Sequence, residues 1–238
     1  MLKIFYEDGE LIVCEKPVGV LSQPDVSGQG EDMLGIVADH ITNDTGKPKP
    51  YVGLVHRLDR GVGGVMVFAK TPEAASRLSV AVAEHRVTKQ YLAIVHGVPD
   101  APEGIWQNLL YKDAAKGKSF VVDRPRKGVK AASLAYRLLG TVDSPHGTLS
   151  LLQIRLHTGR AHQIRVQCAS RGLPLLGDGK YGARDHGCDI GLWSYRLTFA
   201  HPRRKGEKVD VCRIPTEGAF ALFGEITPTD DLPAAPKE

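Results

Sequence analysis

The chain has 238 residues, 42% hydrophobic and 24% charged, with a formal net charge of +4 and a pI near 8.8. That is enough chain to bury a substantial core as one large domain or two small ones, and the composition excludes collagen-like, low-complexity and disordered classes. Four cysteines without a C-x-x-C pair exclude a zinc ribbon and a disulfide framework and fit a reduced, cytosolic setting. Glu7 and Asp8 stand where a secretory signal needs its apolar stretch, and no apolar run reaches the length of a membrane span. The mild positive charge permits a nucleic-acid partner without demanding one.

Ile4-Phe5-Tyr6 and Leu11-Ile12-Val13-Cys14 are strand-like, and Glu7-Asp8-Gly9-Glu10 carries turn chemistry. Residues 2–14 therefore predict a hairpin, ended by Lys16-Pro17-Val18-Gly19. Residues 24–30 read as loop. Apolar residues at 33, 34, 36, 37, 38 and 41 predict a helix over 31–41, with a breaker-rich loop over 42–50. Next comes a dense polar cluster, His56, Arg57, Asp59 and Arg60, followed by glycines at 61, 63 and 64 and an apolar run over 65–69 short enough for a buried strand. Asp59 is a lone carboxylate between two arginines. Opposite charges favour its ionised form, and an ionised carboxylate in a cleft can act as a nucleophile. The same pattern also describes a surface ion pair before a turn.

Thr71 as N-cap and Pro72 as first helical residue open a second helix over 73–87. Thr88-Lys89-Gln90 leads into a strand over 91–97, with Tyr91 at its mouth. A core-edge aromatic is the other reading of that tyrosine. Between 112 and 130, Lys112, Lys116, Lys118, Arg124, Arg126, Lys127 and Lys130 face only Asp113 and Asp123, which predicts a mobile arm or ribbon, either a phosphate-contacting patch or a solvated surface. Residues 131–140 and 148–156 read as strands joined by a turn at 143–147. A turn and then a helix closed by Gly172 follow, with Ile164 and Cys168 on one face and Ala161, Arg165 and Ala169 on another. His162 has no second ligand at metal spacing, so no metal is expected. Gly177-Asp178-Gly179-Lys180-Tyr181-Gly182 is turn-rich and forms a cleft wall, with Asp178 as a turn residue. Residues 192–200 read as a strand followed by the basic turn 201–206, and the polar tail from 227 is expected to fray.

Several of these blocks together resemble the RluA-type pseudouridine synthases. They are His56-Arg57-Leu58-Asp59 with Gly64-Val65-Met66-Val67-Phe68-Ala69-Lys70-Thr71; Lys89-x-Tyr91; Gly159-Arg160-x-His162-Gln163-Ile164-Arg165-Val166; Gly177-Asp178-x-x-Tyr181-Gly182; and Phe199-Ala200-His201-Pro202. The opening Lys16-Pro17-x-Gly19 also fits. The resemblance implies an α+β fold: one catalytic domain over 1–226 around a mixed, mostly antiparallel sheet with flanking helices and a cleft between two halves, and a flexible tail over 227–238. It implies that uridine in structured RNA, ribosomal or transfer, is isomerised to pseudouridine in the cytoplasm by a monomer. Asp59 is the nucleophile, Tyr91 stacks on the uracil and assists proton removal from carbon 5, and Arg165 pairs with Asp59. His56, Arg57, Arg60, Lys89, Arg160, His162 and Gln163 then belong to RNA binding, with Arg57 contacting phosphate or filling the gap left by a flipped base. The 112–130 arm and Arg203, Arg204 and Lys205 are the expected backbone contacts. No cofactor, metal or membrane is implied.

The chain departs from the family pattern in three places. Val62-Gly63 stands where Thr-Ser is usual, Ala161 where Thr is usual and Gln167 where His is usual. The small N-terminal RNA-binding domain of many relatives is also missing. Two other readings stand beside this one. A non-catalytic RNA-binding protein is supported only by Val62 and Gly63. A glycosidic-bond hydrolase needs two flanking carboxylates, and Asp178 is the only other one in the motif blocks.

Overall fold

The computed structural model describes residues 2–25, 28, 30–46, 48–185 and 187–234. In chain order the elements are β1 (Ile4–Glu7), β2 (Leu11–Lys16), α1 (Met33–Thr45), β3 (Gly53–Leu54), β4 (Gly63–Ala69), α2 (Pro72–Ala83), β5 (Thr88–His96), β6 (Glu103–Asp113), β7 (Lys118–Val122), β8 (Val129–Ser144), β9 (Gly147–Leu156), α3 (Gln163–Ala169), β10 (Leu192–Ala200) and β11 (Lys208–Cys212). The fold class is α+β, as expected, and the pairs β1-β2, β2-β4, β3-β4, β6-β7, β6-β8, β8-β9 and β10-β11 are antiparallel. The chain groups into two compact units, residues 1–89 with 194–213, and residues 90–193 with 214–238. Among the described residues no helix is long and apolar enough to cross a membrane.

In the first unit the strand order is β1-β2-β4-β10, with β11 added to β10 and the short β3 beside β4. The predicted hairpin is β1 and β2. Strand β2 then pairs with β4 from Leu11↔Ala69 to Lys16↔Gly64. All seven residues of β4 are buried, which is why this strand reads as a continuous apolar run rather than an alternating one. Leu11, Val13, Val65, Val67 and Ala69 pack with Ala74, Leu78 and Ala81 of α2 and with Leu197 and Phe199 of β10. Asp32 caps α1 through the Leu34 and Gly35 N–H groups. This helix runs four residues past its predicted end at 41. The apolar stripe stops at Ile41, but the polar last turn is closed by left-handed Gly46 donating to the Thr42 carbonyl. Helix α2 instead ends early, at Ala83, because His85 turns left-handed at φ 57° and leads the chain into β5.

The second unit orders its strands β5-β9-β8-β6-β7. Strands β8 and β9 form the predicted hairpin, closing at Ser144↔Gly147. The expected arm over 112–130 is an ordered ribbon: β6 pairs with β7 from Leu109↔Val122 to Asp113↔Lys118 and with β8 along its other edge. The base of this ribbon packs on α3, where Leu110, Ala132, Val166 and Tyr181 form a small core. Helix α3 is seven residues long, and Gln163 to Cys168 are all buried. It therefore presents no polar face, and Ala161 precedes it. Residues 229–233 do not fray. The Gln153 amide brackets Thr229, donating to its carbonyl at 2.6 Å and accepting from its N–H at 2.9 Å. Arg155 donates to the Asp230 and Leu232 carbonyls, and Leu232 is buried. The end of the expected tail, 235–238, lies outside the described residues.

Candidate active site

In the first unit, the segment between β3 and β4 carries Asp59, and alternate residues pin it down. The His56 ring accepts the Val67 N–H of β4 through Nε2 at 3.1 Å. The Leu58 backbone is clamped by the buried Ser22 hydroxyl, which donates to its carbonyl at 2.7 Å and accepts its N–H at 3.1 Å. The Arg60 carbonyl accepts the Gly19 N–H at 2.9 Å, and Arg60 Nε returns a bond to the Gly19 carbonyl. Between these fixed points Arg57 is exposed and Asp59 half-buried. The Val62 N–H then bonds the Asp59 carbonyl and closes the turn into β4.

Lys16 lies under this loop. Its side chain is fully buried at the end of β2, and Nζ donates to the carbonyls of Val20 (2.6 Å), Pro17 (2.8 Å) and Arg60 (3.2 Å). Burial pushes the ammonium down to about 8, against the attraction of Asp59, which favours its charge. Gly64, opposite Lys16 in the ladder, has φ +119°, and a Cβ there would meet the Ser194 carbonyl oxygen at 2.2 Å. The strand bearing the loop thus closes on β10 more tightly than any side chain allows. His56 is driven down to about 3 by burial and then by the Lys89 ammonium, so the ring is neutral. Because Nε2 accepts a hydrogen bond, the proton resides on Nδ1, which is buried without a hydrogen-bond partner. His56, expected among the RNA contacts, bonds the β4 backbone here. Lys89 is also lowered by burial.

In the second unit, Arg165 of α3 grips Asp178 with both prongs, Nε to Oδ2 at 2.7 Å and Nη2 to Oδ1 at 2.8 Å, and both side chains are buried. Asp178, expected as a turn residue, is therefore the counter-ion of the predicted catalytic arginine. The Tyr181 ring lies 5.2 Å from the Arg165 guanidinium carbon, and its hydroxyl meets His162 Nδ1 at 2.9 Å and accepts the Ser119 N–H at 2.8 Å. Burial raises the Tyr181 hydroxyl above its ordinary range, keeping it protonated. The Gln163 amide accepts from the Thr158 hydroxyl and the Arg160 N–H and donates to the Ser133 carbonyl, so it ties the turn to β8. Arg160 is half-buried, with Nε on the Ala131 carbonyl. Tyr91 lies in β5, two residues beyond Lys89, and is almost fully buried.

The structure thus places His56, Arg57, Asp59, Arg60 and Lys89 in the first unit, and Tyr91, Arg160, His162, Gln163 and Arg165 in the second. Lys16, Ser22, Ser119 and Asp178 were missed as working residues. Lys16 left a signal, a cation in step with buried Ile12 and Cys14 at the end of an apolar strand, and Asp178 stood in a motif block but read as a turn residue.

Residues 10–170 match the family model described as RNA pseudouridylate synthase. The chain belongs to the RNA pseudouridylate synthase family. It is 34% identical over 202 residues to the ribosomal large subunit pseudouridine synthase D of Borreliella burgdorferi, covering 82% of this chain and 60% of that one. The synthase D of Pseudomonas aeruginosa is 35% identical over 183 residues, covering 77% and 54%. An uncharacterized RNA pseudouridine synthase of Aquifex aeolicus is 33% identical over 220 residues, covering 87% and 67%. The chain thus spans between about half and two thirds of the length of these relatives. Among solved structures, human RNA pseudouridylate synthase domain containing 1 superposes with a TM-score of 0.72 at 21% identity, covering 91% of this chain and 84% of that one, a likeness of fold.

The departures from the family pattern fall into the frame of the synthase fold. Gln167 turns away to β6, where its amide donates to the Trp106 carbonyl and the Asn108 side chain. Val62 is buried at the end of the Asp59 turn. Ala161 offers its carbonyl to the Ser119 hydroxyl, a bond that any residue there can accept.

Proposed function

We propose that the chain is an RNA pseudouridine synthase using Asp59 as its nucleophile. The observation that carries this reading is the Asp59 loop, whose backbone is held at 56, 58 and 60 over a buried lysine. Family membership over most of the chain supports it. The reaction breaks the bond between ribose carbon 1 and uracil N1 and forms one from the same carbon to C5. The C5 proton is lost and N1 gains one, so atoms balance without a co-reactant. Leaving group and acceptor are one base, which is why a single carboxylate suffices where hydrolysis needs two.

Tyr91 is assigned to the uracil face and to proton removal at C5. Arg165, its Nε edge held by Asp178, is assigned to position Asp59. Arg57, exposed beside the nucleophile, is assigned to the phosphate or the gap left by the flipped base. The substrate we assign is ribosomal or transfer RNA, met in the cytoplasm by a monomer. The RNA contacts expected at 201–206 lose support: Arg203 is paired with Glu10, and Arg204 with Glu207 and Asp8. The test is to incubate the protein with unmodified ribosomal and transfer RNA, digest to nucleosides and quantify pseudouridine. The reading predicts its appearance at the expense of uridine; none in either pool contradicts it.

A further inference from the structure

The outer face of the β6–β7 ribbon combines two features that the reaction chemistry does not use. Its strands set Tyr111 directly opposite Phe120, and Leu109 opposite Val122. Opposite residues share a face about 5 Å apart, so the two rings form one apolar plate, only half-buried. The inner face is accounted for: Leu110 and Val121 pack toward α3, and Ser119 bonds Tyr181 and the Ala161 carbonyl. Gly128 lies against the Tyr111 ring, and the other contacts described on the outer face are with cations. The Arg126 guanidinium carbon sits 4.8 Å from the Tyr111 ring centre, and the ammonium groups of Lys116 and Lys118 each 5.8 Å from that of Phe120.

The charge around this plate is one-sided. Lys112, Lys116, Lys118, Arg124, Arg126, Lys127 and Lys130 stand against Asp113 and Asp123. Among the described residues none of the seven forms a salt bridge, whereas Arg203 and Arg204 of the other basic segment are both paired with carboxylates. Aromatic faces bordered by unpaired cations suit a ligand with flat rings and an anionic backbone, which is an unpaired stretch of nucleic acid. Its bases stack on the rings while its phosphates draw off the flexible cations. A duplex hides its base faces and offers this plate only charge.

We infer that the Tyr111–Phe120 face of the ribbon binds unpaired nucleotides of the substrate RNA by stacking, with Lys116, Arg126 and Lys127 on the flanking phosphates. The inference rests on the RNA-modifying reading and adds a binding site to it. The ribbon carrying this plate also touches the Arg165 layer, through Ser119 on Tyr181 and through Lys118, which donates to the Lys180 carbonyl and lies 4.8 Å from the Tyr181 ring. RNA held here is therefore held in register with that layer.

The test is fluorescence anisotropy of the full chain with a labelled single-stranded oligonucleotide and with a duplex of the same length, over a range of salt. Tyr111→Leu and Phe120→Leu are each expected to weaken single-strand binding about tenfold or more, leaving the salt slope and duplex binding unchanged. Arg126→Glu is expected to weaken both ligands and flatten the slope by about 0.7 or more. Tyr111→Trp retains the stacking surface and should bind at least as tightly as the natural protein, with its added indole fluorescence quenched by RNA. This guards against a folding defect in the leucine variants. If the leucine variants bind single strands like the natural protein, the rings are internal staples and the inference fails, even where the natural protein forms pseudouridine. If the natural protein neither binds nor modifies RNA, the functional reading itself fails and the plate with it.

Discussion

Lys16→Met separates loop geometry from stability. Methionine keeps most of the stem volume and removes three N–H donors. The Arg60 carbonyl retains the Gly19 N–H, but the Pro17 and Val20 carbonyls lose the lysine. An orphaned buried carbonyl costs about 1–3 kcal/mol, and because these two stand on exposed Pro17 and half-buried Val20 they cost together up to about 3 kcal/mol. In the other direction the variant no longer buries an ammonium. A fall from 10.5 to about 8 corresponds to about 3 kcal/mol at about 1.36 kcal/mol per tenfold change. The two effects largely offset each other, so stability at pH 7 should shift by less than about 3 kcal/mol. Activity should fall about a hundredfold, because the Asp59 loop loses its floor and a misplacement near 1 Å costs about that much. Stability also acquires a pH signature. Below pH 8 the lysine is protonated in both states and the burial penalty is constant. Between about 8 and 10.5 the unfolded chain holds a proton that the folded one has released, so this residue's contribution to stability rises with pH. Urea midpoints of the natural protein and of Lys16→Met at pH 7 and 10 measure the difference, and initial rates measure the loop. Parallel pH dependence of the two midpoints, or a variant with full activity, would refute the reasoning.

Three further outcomes follow from the geometry. Asp178→Asn removes the anion from a buried, two-pronged pair whose partners are 8% and 1% exposed, so it should destabilise the fold by about 3–5 kcal/mol in urea titration; a loss under about 1 kcal/mol contradicts the pairing. Gly64→Ala puts a Cβ against the Ser194 carbonyl oxygen in a left-handed conformation and should yield insoluble protein, or protein destabilised by more than about 4 kcal/mol. Burial raises the Asp8 carboxyl, but the Glu10 and Leu11 N–H bonds, with His201 and Tyr6, outweigh it and hold it low. Its stabilisation is therefore present above the ordinary carboxylate range and lost as pH falls through the lowered value. Asp8→Asn should lower the urea midpoint at pH 6 and flatten its decline toward acid, and an unaltered acid limb counts against this.

The elements legible in the sequence are those whose burial matches a simple period. Strands β2 and β4 read correctly because nearly every residue is buried, β10 because buried and half-buried residues alternate from Tyr195 to Phe199, and the start of α2 because Thr71-Pro72 marks it. Strand β6 gave no such signal: only Trp106 and Leu110 are buried along its eleven residues, and charged or polar residues fill the gaps. The tail read as frayed because its anchors are backbone carbonyls bonded to Gln153 and Arg155 more than seventy positions away, which no local pattern records. The same limit applies at the candidate site. Asp59, Tyr91 and Arg165 stand in compact motifs, whereas Ser22 on Leu58 and Asp178 on Arg165 are pairings made by the fold. Glycines around Asp178 made a turn the obvious reading, and a turn residue can still be a buried counter-ion.

The central claim is that Asp59 performs the isomerisation. The most direct test is tritium release from RNA labelled at C5 of uridine, comparing the natural protein with Asp59→Asn at matched RNA binding. With Asp59 as nucleophile, the natural protein releases tritium and the variant releases none. Equal release by both would contradict the claim, because the nucleophile would then be another group.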